Sequence, residues 1–130
     1  MPTLDTSFII DLIRHEPGAL KVLEMIEQEG LTPATTPITI LELFRGAYLS
    51  SSPEKNKKEI EAITEHLLHQ NIVEETYGVF GALSARLRGD GRPVGDFDEL
   101  IAAIALCYDG EIVTRDHHFE RIPGLVVRRY

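Results

Sequence analysis

The chain has no tryptophan and one cysteine, Cys107. A single thiol excludes an internal disulfide, so the fold must rest on its core, and this cysteine usage fits a reducing, cytoplasmic setting. No apolar run approaches the ~20 residues that span a bilayer. The N-terminus also lacks a basic stretch followed by an apolar core, so neither a membrane anchor nor an export signal is expected. Net positive charge is missing too: 13 Lys and Arg against 21 Asp and Glu leave −8. That argues against the broad basic footprint of ordinary nucleic-acid binders. Carboxylates gathered in one place can nevertheless hold divalent cations, which then attract phosphate. There is no Gly-rich phosphate loop and no Ser in a nucleophile elbow.

What the chain does have is alternation. Its 130 residues are 43% apolar, enough for one sizeable core. Short β-rich runs alternate with amphipathic stretches, with no repeat, low-complexity segment or linker, so residues 1–130 are expected to form a single domain. The alternation implies an α/β fold in which a mostly parallel sheet of four to five short strands lies between two helical layers.

The stretch 95–119 organises the rest. Asp96 reads as an N-cap, and Glu99 three residues on makes an acidic capping box. Leu100, Ile101, Ile104, Ala105 and Tyr108 form a buried helical stripe. Ala102, Ala103 and Ala105 keep the helix slim, Cys107 reads as a small core residue, and Gly110 ends the helix. Glu111-Ile112-Val113-Thr114 then reads as a strand.

Upstream, Thr3-Leu4-Asp5 reads as a strand, with Thr6 or Ser7 capping a helix from Phe8 to about Arg14. Pro17 opens a second helix that runs to about Glu29 and stops at Gly30. A second strand falls within 31–36. A helix from near Pro37 carries Ile38, Leu41, Phe44 or Arg45, and Tyr48. A polar helix is expected from Glu54 to about Gln70, with Ile60, Ile63, Leu67 and Leu68 as its stripe. Then come a third strand at Ile72-Val73-Glu74, a helix from Thr76 or Tyr77, and, after the central helix and its strand, a last strand at Leu125-Val126-Val127.

This order puts Asp5 after the first strand, Asp98 in the first turn of the central helix, and Asp116 after the Ile112-Val113 strand. Glu42, in the helix after the second strand, is a fourth acid. Ligands of open parallel sheets bind at the carboxyl ends of the strands, and all four can face that edge. Each alone is explained by the preference of acids for helix starts. Together in one cleft they repel unless protons or cations neutralise them. Mg²⁺ and Mn²⁺ suit carboxylate oxygens, and a pair of such ions can activate water against a phosphodiester.

Other groups carry less. His117-His118 read as surface or loop residues, and His15, His66 and His69 as solvated helix positions. Asp5-Thr6-Ser7 lacks the second Asp of an aspartyl phosphatase. A receiver-type domain needs a Lys after a late strand, and residues 112–127 contain none.

Four stretches carry a resemblance: Leu4-Asp-Thr-Ser7, Pro37-Ile-Thr-Ile-Leu-Glu-Leu-Phe-Arg-Gly46, Arg92-Pro-Val-Gly-Asp-Phe-Asp-Glu-Leu-Ile-Ala-Ala103 and Ile112-Val-Thr-Arg-Asp-His-His-Phe119, continued by Pro123-Gly124-Leu125. In this order and spacing, over nearly the whole chain, they resemble the PIN-domain family and within it the VapC-type toxin ribonucleases. The resemblance implies a three-layer α/β/α fold and an Mg²⁺- or Mn²⁺-dependent endoribonuclease that hydrolyses RNA with a metal-activated water. It maps the family's four acids, as metal ligands, onto Asp5, Glu42, Asp98 and Asp116. It maps orienting hydroxyls onto Thr6 or Ser7 and Thr114. Asp96 could be an extra ligand, but the family's acid aligns with Asp98. A VapB-like antitoxin that blocks the cleft, and a homodimer, are also implied. The same fold serves housekeeping nucleases of RNA processing or structured DNA, and inactive modules that bind RNA or protein.

Overall fold

Five short strands, all parallel, lie in the order β3-β2-β1-β4-β5 in a computed structural model that describes residues 1–130. They are β1 (Thr3–Leu4), β2 (Ala34–Thr35), β3 (Leu68–His69), β4 (Glu111–Val113) and β5 (Val126–Arg128). The helices are α1 (Thr6–Ile13), α2 (Pro17–Gln28), α3 (Pro37–Leu49), α4 (Pro53–Thr64), α5 (Glu74–Gly89) and α6 (Asp96–Leu106), with a 3₁₀ turn at His117–Arg121. The chain first builds outward from β1 through β2 to β3. It then crosses back through α5 and α6 to place β4 on the other side of β1. The order therefore reverses between β1 and β4, where open α/β sheets hold their ligands.

Neighbouring strand residues face opposite layers, and β4 shows it. Val113 packs with Leu4, Phe8, Ile9 and Leu12 among α1, α2 and α4, while Ile112 packs with Leu87, Ile101, Ile104 and Phe119 against α5 and α6. Helix α3 contributes Leu43 and Ala47 to the first cluster and Ile38 to the second. It closes the seam between the layers and carries Glu42 with it. No helix is long and apolar enough to cross a membrane.

Several expectations are corrected. The third strand is Leu68–His69, not Ile72-Val73-Glu74: Ile72 and Val73 are exposed, and Val73 is the N-cap of α5. The polar helix stops at Thr64, so Leu68 belongs to the sheet. What secures this edge is buried Gln70, whose N–H donates to the Thr35 carbonyl and whose Oε1 accepts the Thr3 hydroxyl at 2.6 Å. On α3 the inward residues are Ile38, Thr39, Leu43 and Ala47, whereas Leu41 and Tyr48 are exposed. The cap of α1 is Asp5, not Thr6 or Ser7. Nor is Asp96 the cap of α6: that position is Gly95, at φ 121°, where a side chain would be strained. Glu99 does reach back, but its Oε2 accepts the N–H groups of Val94 and Gly95, two residues and one residue earlier than a box on Asp96 requires.

Candidate active site

Strands β1 and β4 run side by side with Leu4 opposite Val113. One residue further along stand Asp5 and Thr114, both buried. The Thr114 hydroxyl donates to Asp5 Oδ2 at 2.6 Å. The other oxygen, Oδ1, accepts the Ser7 hydroxyl at 2.8 Å and the Phe8 N–H at 3.0 Å, which caps α1. One carboxylate thus starts a helix and lines the sheet edge. Burial pushes its pKa up, the bonds from Thr114, Phe8 and Ser7 pull it back, and the charge of Asp116 adds to the rise.

The Thr6 hydroxyl, at the first position of α1, donates to Glu42 Oε1 at 2.7 Å. Asp98 stands in the first turn of α6. Its pKa is pushed up to about 6, first by burial and then by the charges of Glu42, Asp116 and Asp5, with His118 pulling it down. Three acids from three other elements thus act on one carboxyl. Asp116 hangs from the same hydroxyl that grips Asp5, its N–H donating to Thr114 Oγ1 at 2.9 Å. The hydroxyls of Thr6, Ser7 and Thr114 therefore each hold one of the acids or its backbone.

Asp96 stands apart. Its side chain is 75% exposed and pairs with Arg88 at 3.3 Å, and it is not among the charges that shift Asp98. His118, read from sequence as a surface or loop residue, is exposed, and it also contacts one of the acids. Asp116 Oδ1 accepts the His118 N–H at 2.9 Å and lies 2.9 Å from the ring Nδ1. The signal was the Asp-x-His spacing, because Asp readily accepts the N–H two residues on and folds that residue back.

Behind the site, buried Asp11 holds the 114–116 segment. Asp11 Oδ2 lies 3.2 Å from Arg115 Nη1 and accepts the Tyr130 hydroxyl at 2.5 Å. Tyr130 also meets Phe8 edge-on, ring centres 4.9 Å apart. Burial and the Asp11 carboxylate push the Tyr130 phenol well above its ordinary range, which keeps it a donor.

As folded, no three acidic, histidine or cysteine side chains converge closely enough to hold a metal ion among themselves. The donor set still fits one kind of ion. It is all oxygen, it is strained by its own charge at Asp98, and Asp5 and Glu42 are already oriented by hydroxyls. That suits a hard divalent ion that keeps several waters and takes only one or two protein ligands, as Mg²⁺ does. Thr114→Val keeps the shape but leaves Asp5 Oδ2 and the Asp116 N–H without their partner. It is expected to cost about 1–3 kcal/mol in urea denaturation. A loss below ~0.5 kcal/mol would show that Thr114 does not hold the acids.

The PIN domain family model matches residues 3–125. The tRNA(fMet)-specific endonuclease VapC of Shigella flexneri is 33% identical over 125 residues, spanning 94% of this chain and 92% of that one. Ribonuclease VapC19 of Mycobacterium tuberculosis is 29% identical over 126 residues, 96% and 97% of the two chains. Among solved structures, DNA-bound VapBC from Salmonella typhimurium superposes with a TM-score of 0.88 at 30% identity, covering 99% of this chain and 98% of that one. VapBC2 from Rickettsia felis, bound to a DNA fragment from its promoter, gives 0.91 at 25% identity, covering 98% and 97%.

Proposed function

Because the chain belongs to the PIN domain family, we propose that it is a VapC-type endoribonuclease, the toxin of a toxin–antitoxin pair. It is a nuclease that works with Mg²⁺ or Mn²⁺ on RNA phosphodiester bonds. The observation that carries this reading is Asp98, whose carboxyl feels Glu42, Asp116 and Asp5 at the point where the strand order reverses. Relatives named as ribonucleases, and VapBC complexes of the same fold, support it. The partner is a VapB-like antitoxin, and a basic segment of it would complement the acidic cleft. The active form is a homodimer, with exposed Leu41 and Tyr48 on α3 as apolar surface for a second copy.

Asp5, Glu42, Asp98 and Asp116 would hold the metal, one or two of them directly and the others through its waters. A bound divalent ion supplies Lewis acidity, acidifying water and offsetting charge on the phosphate oxygens. The chain's own work is orientation. Thr114 and Ser7 fix the two oxygens of Asp5, Thr6 fixes Glu42, and the Thr114 and His118 contacts fix Asp116. Preset acids need not reorganise when charge develops. The protein needs no covalent nucleophile of its own.

The test is cleavage of end-labelled single-stranded RNA, an initiator tRNA included, with Mg²⁺, with Mn²⁺ and with a chelator. Cutting is expected with either ion and none with the chelator. Millimolar Mn²⁺ should raise the melting temperature by mass action, and Asp5→Asn should abolish that rise. Metal-dependent cutting of DNA but not RNA would point to the housekeeping class. No cutting in any metal, with RNA still bound, would leave a binding module.

A further inference from the structure

We propose that Phe97 and Arg45 form a stacking platform for an unpaired nucleobase next to the phosphate that is cut; this rests on RNA being the substrate. Phe97 directly precedes Asp98 on α6, yet its ring stays 38% exposed. Arg45 comes one turn after Glu42 on α3 and so lies on the same helix face. Its guanidinium sits over the Phe97 ring, 5.2 Å from the centre. The pair thus joins the two helices that carry Glu42 and Asp98, one turn along α3 from Glu42 and one residue before Asp98 on α6.

The charge pattern says what this pair is suited to. With a net charge of −8, the protein cannot gather RNA over a broad basic surface. Base stacking on an aromatic ring needs no net charge and accepts any sequence, because every base has a π-face. Arg45 adds an exposed cation one turn from Glu42 on α3. The fold's arginine ion pairs engage Arg88, Arg115, Arg128 and Arg129, not Arg45. Glu42 forms no ion pair with it; its Oε1 takes the Thr6 hydroxyl. A guanidinium on an aromatic face keeps its N–H edges open to phosphate. Leu41 and Tyr48, the surface assigned above to a second copy, lie one turn either side of Arg45 on α3, so the mass of each variant is measured alongside its RNA affinity.

The test measures binding of a fluorescent single-stranded RNA with Mg²⁺ present, in an Asp98→Asn background so that the RNA stays intact. Adding Phe97→Ala should weaken binding about tenfold, and Phe97→Trp should restore it. Fully paired RNA should bind both proteins alike. An RNA with one abasic position should lose affinity for the Phe97 protein and not for the Ala variant. Light scattering on each variant reports its mass. Equal affinity in the Phe97 and Ala proteins overturns the platform, provided the wild type cuts RNA. A loss of affinity that tracks conversion of dimer to monomer overturns it too and makes Phe97 an interface residue. If the Asp98→Asn parent and the wild type both ignore single-stranded RNA, the substrate reading itself falls and the platform with it.

Discussion

Asp98→Asn should fold like the parent protein and lose metal-dependent RNA cleavage by about 10² or more, the scale on which a single charge-stabilising group acts. Asn matches Asp in shape and can still accept a hydrogen bond. What it lacks is the charge that holds a divalent ion. The same change relieves a strained site, since Asp98 is pushed up to about 6 by burial and by Glu42, Asp116 and Asp5. The metal-free variant should therefore melt higher than the parent at pH 7, while Mn²⁺ should raise its melting temperature less. A merely damaged fold would lower both. Asp96→Asn is the matched control. Its carboxylate faces Arg88 on the exposed side, 3.3 Å away, and exposed pairs contribute little, so cleavage should change by less than about twofold. If Asp98→Asn cuts as fast as the parent, the ligand assignment fails.

The second large effect is on pH. Asp98 ionises near 6 in the folded protein against 3.8 in an unfolded chain. Between those values the folded state holds a proton that the unfolded state has lost. Stability of the metal-free protein must then fall as pH rises from about 4 to about 6, and level off above. Asp5, also pushed upward, acts with the same sign. Glu99 and Glu29 are held below their ordinary values and act oppositely, below pH 4.5. A saturating divalent ion cancels this slope. It competes with the Asp98 proton, so its affinity should drop roughly tenfold per pH unit below about 6. The measurement is melting temperature against pH, with chelator and with Mn²⁺. The two curves should converge toward pH 5 and separate toward pH 7, and Asp98→Asn should flatten the chelator curve. Parallel curves over that range would mean that Asp98 does not exchange its proton for the ion.

The element order and the four acids were legible because each rests on local chemistry. Prolines at helix starts, glycines at helix ends and acids after β-rich runs are read within a few residues. What escaped depends on contacts far along the chain. Leu68–His69 has neither β-branched residues nor burial, and becomes a strand only because Thr35 lies beside it. Ile72 and Val73 have the better strand propensity and stay outside the sheet. The true cap of α6 is a glycine whose N–H is taken by Glu99, a residue buried for reasons no local pattern shows. Leu41 and Tyr48 fit a helical stripe as well as Leu43 and Ala47 do, and only packing against neighbouring helices separates them.

The pairing of β1 with β4 also sets when the cleft can exist. Asp5 is made long before the hydroxyl that grips it, which comes from Thr114, 109 positions later. The sheet around it cannot close before β4 is available, because β4 supplies the neighbour on one side of β1. Contacts so distant in sequence form late and slowly. A ribosome-bound chain that has released only β1, β2 and α3 carries Asp5 and Glu42 but no Asp98, no Asp116 and no closed edge. The order of translation thus acts as a safety interval: a nuclease wired this way stays harmless to its own message until the segment that carries Thr114 and Asp116 has been made.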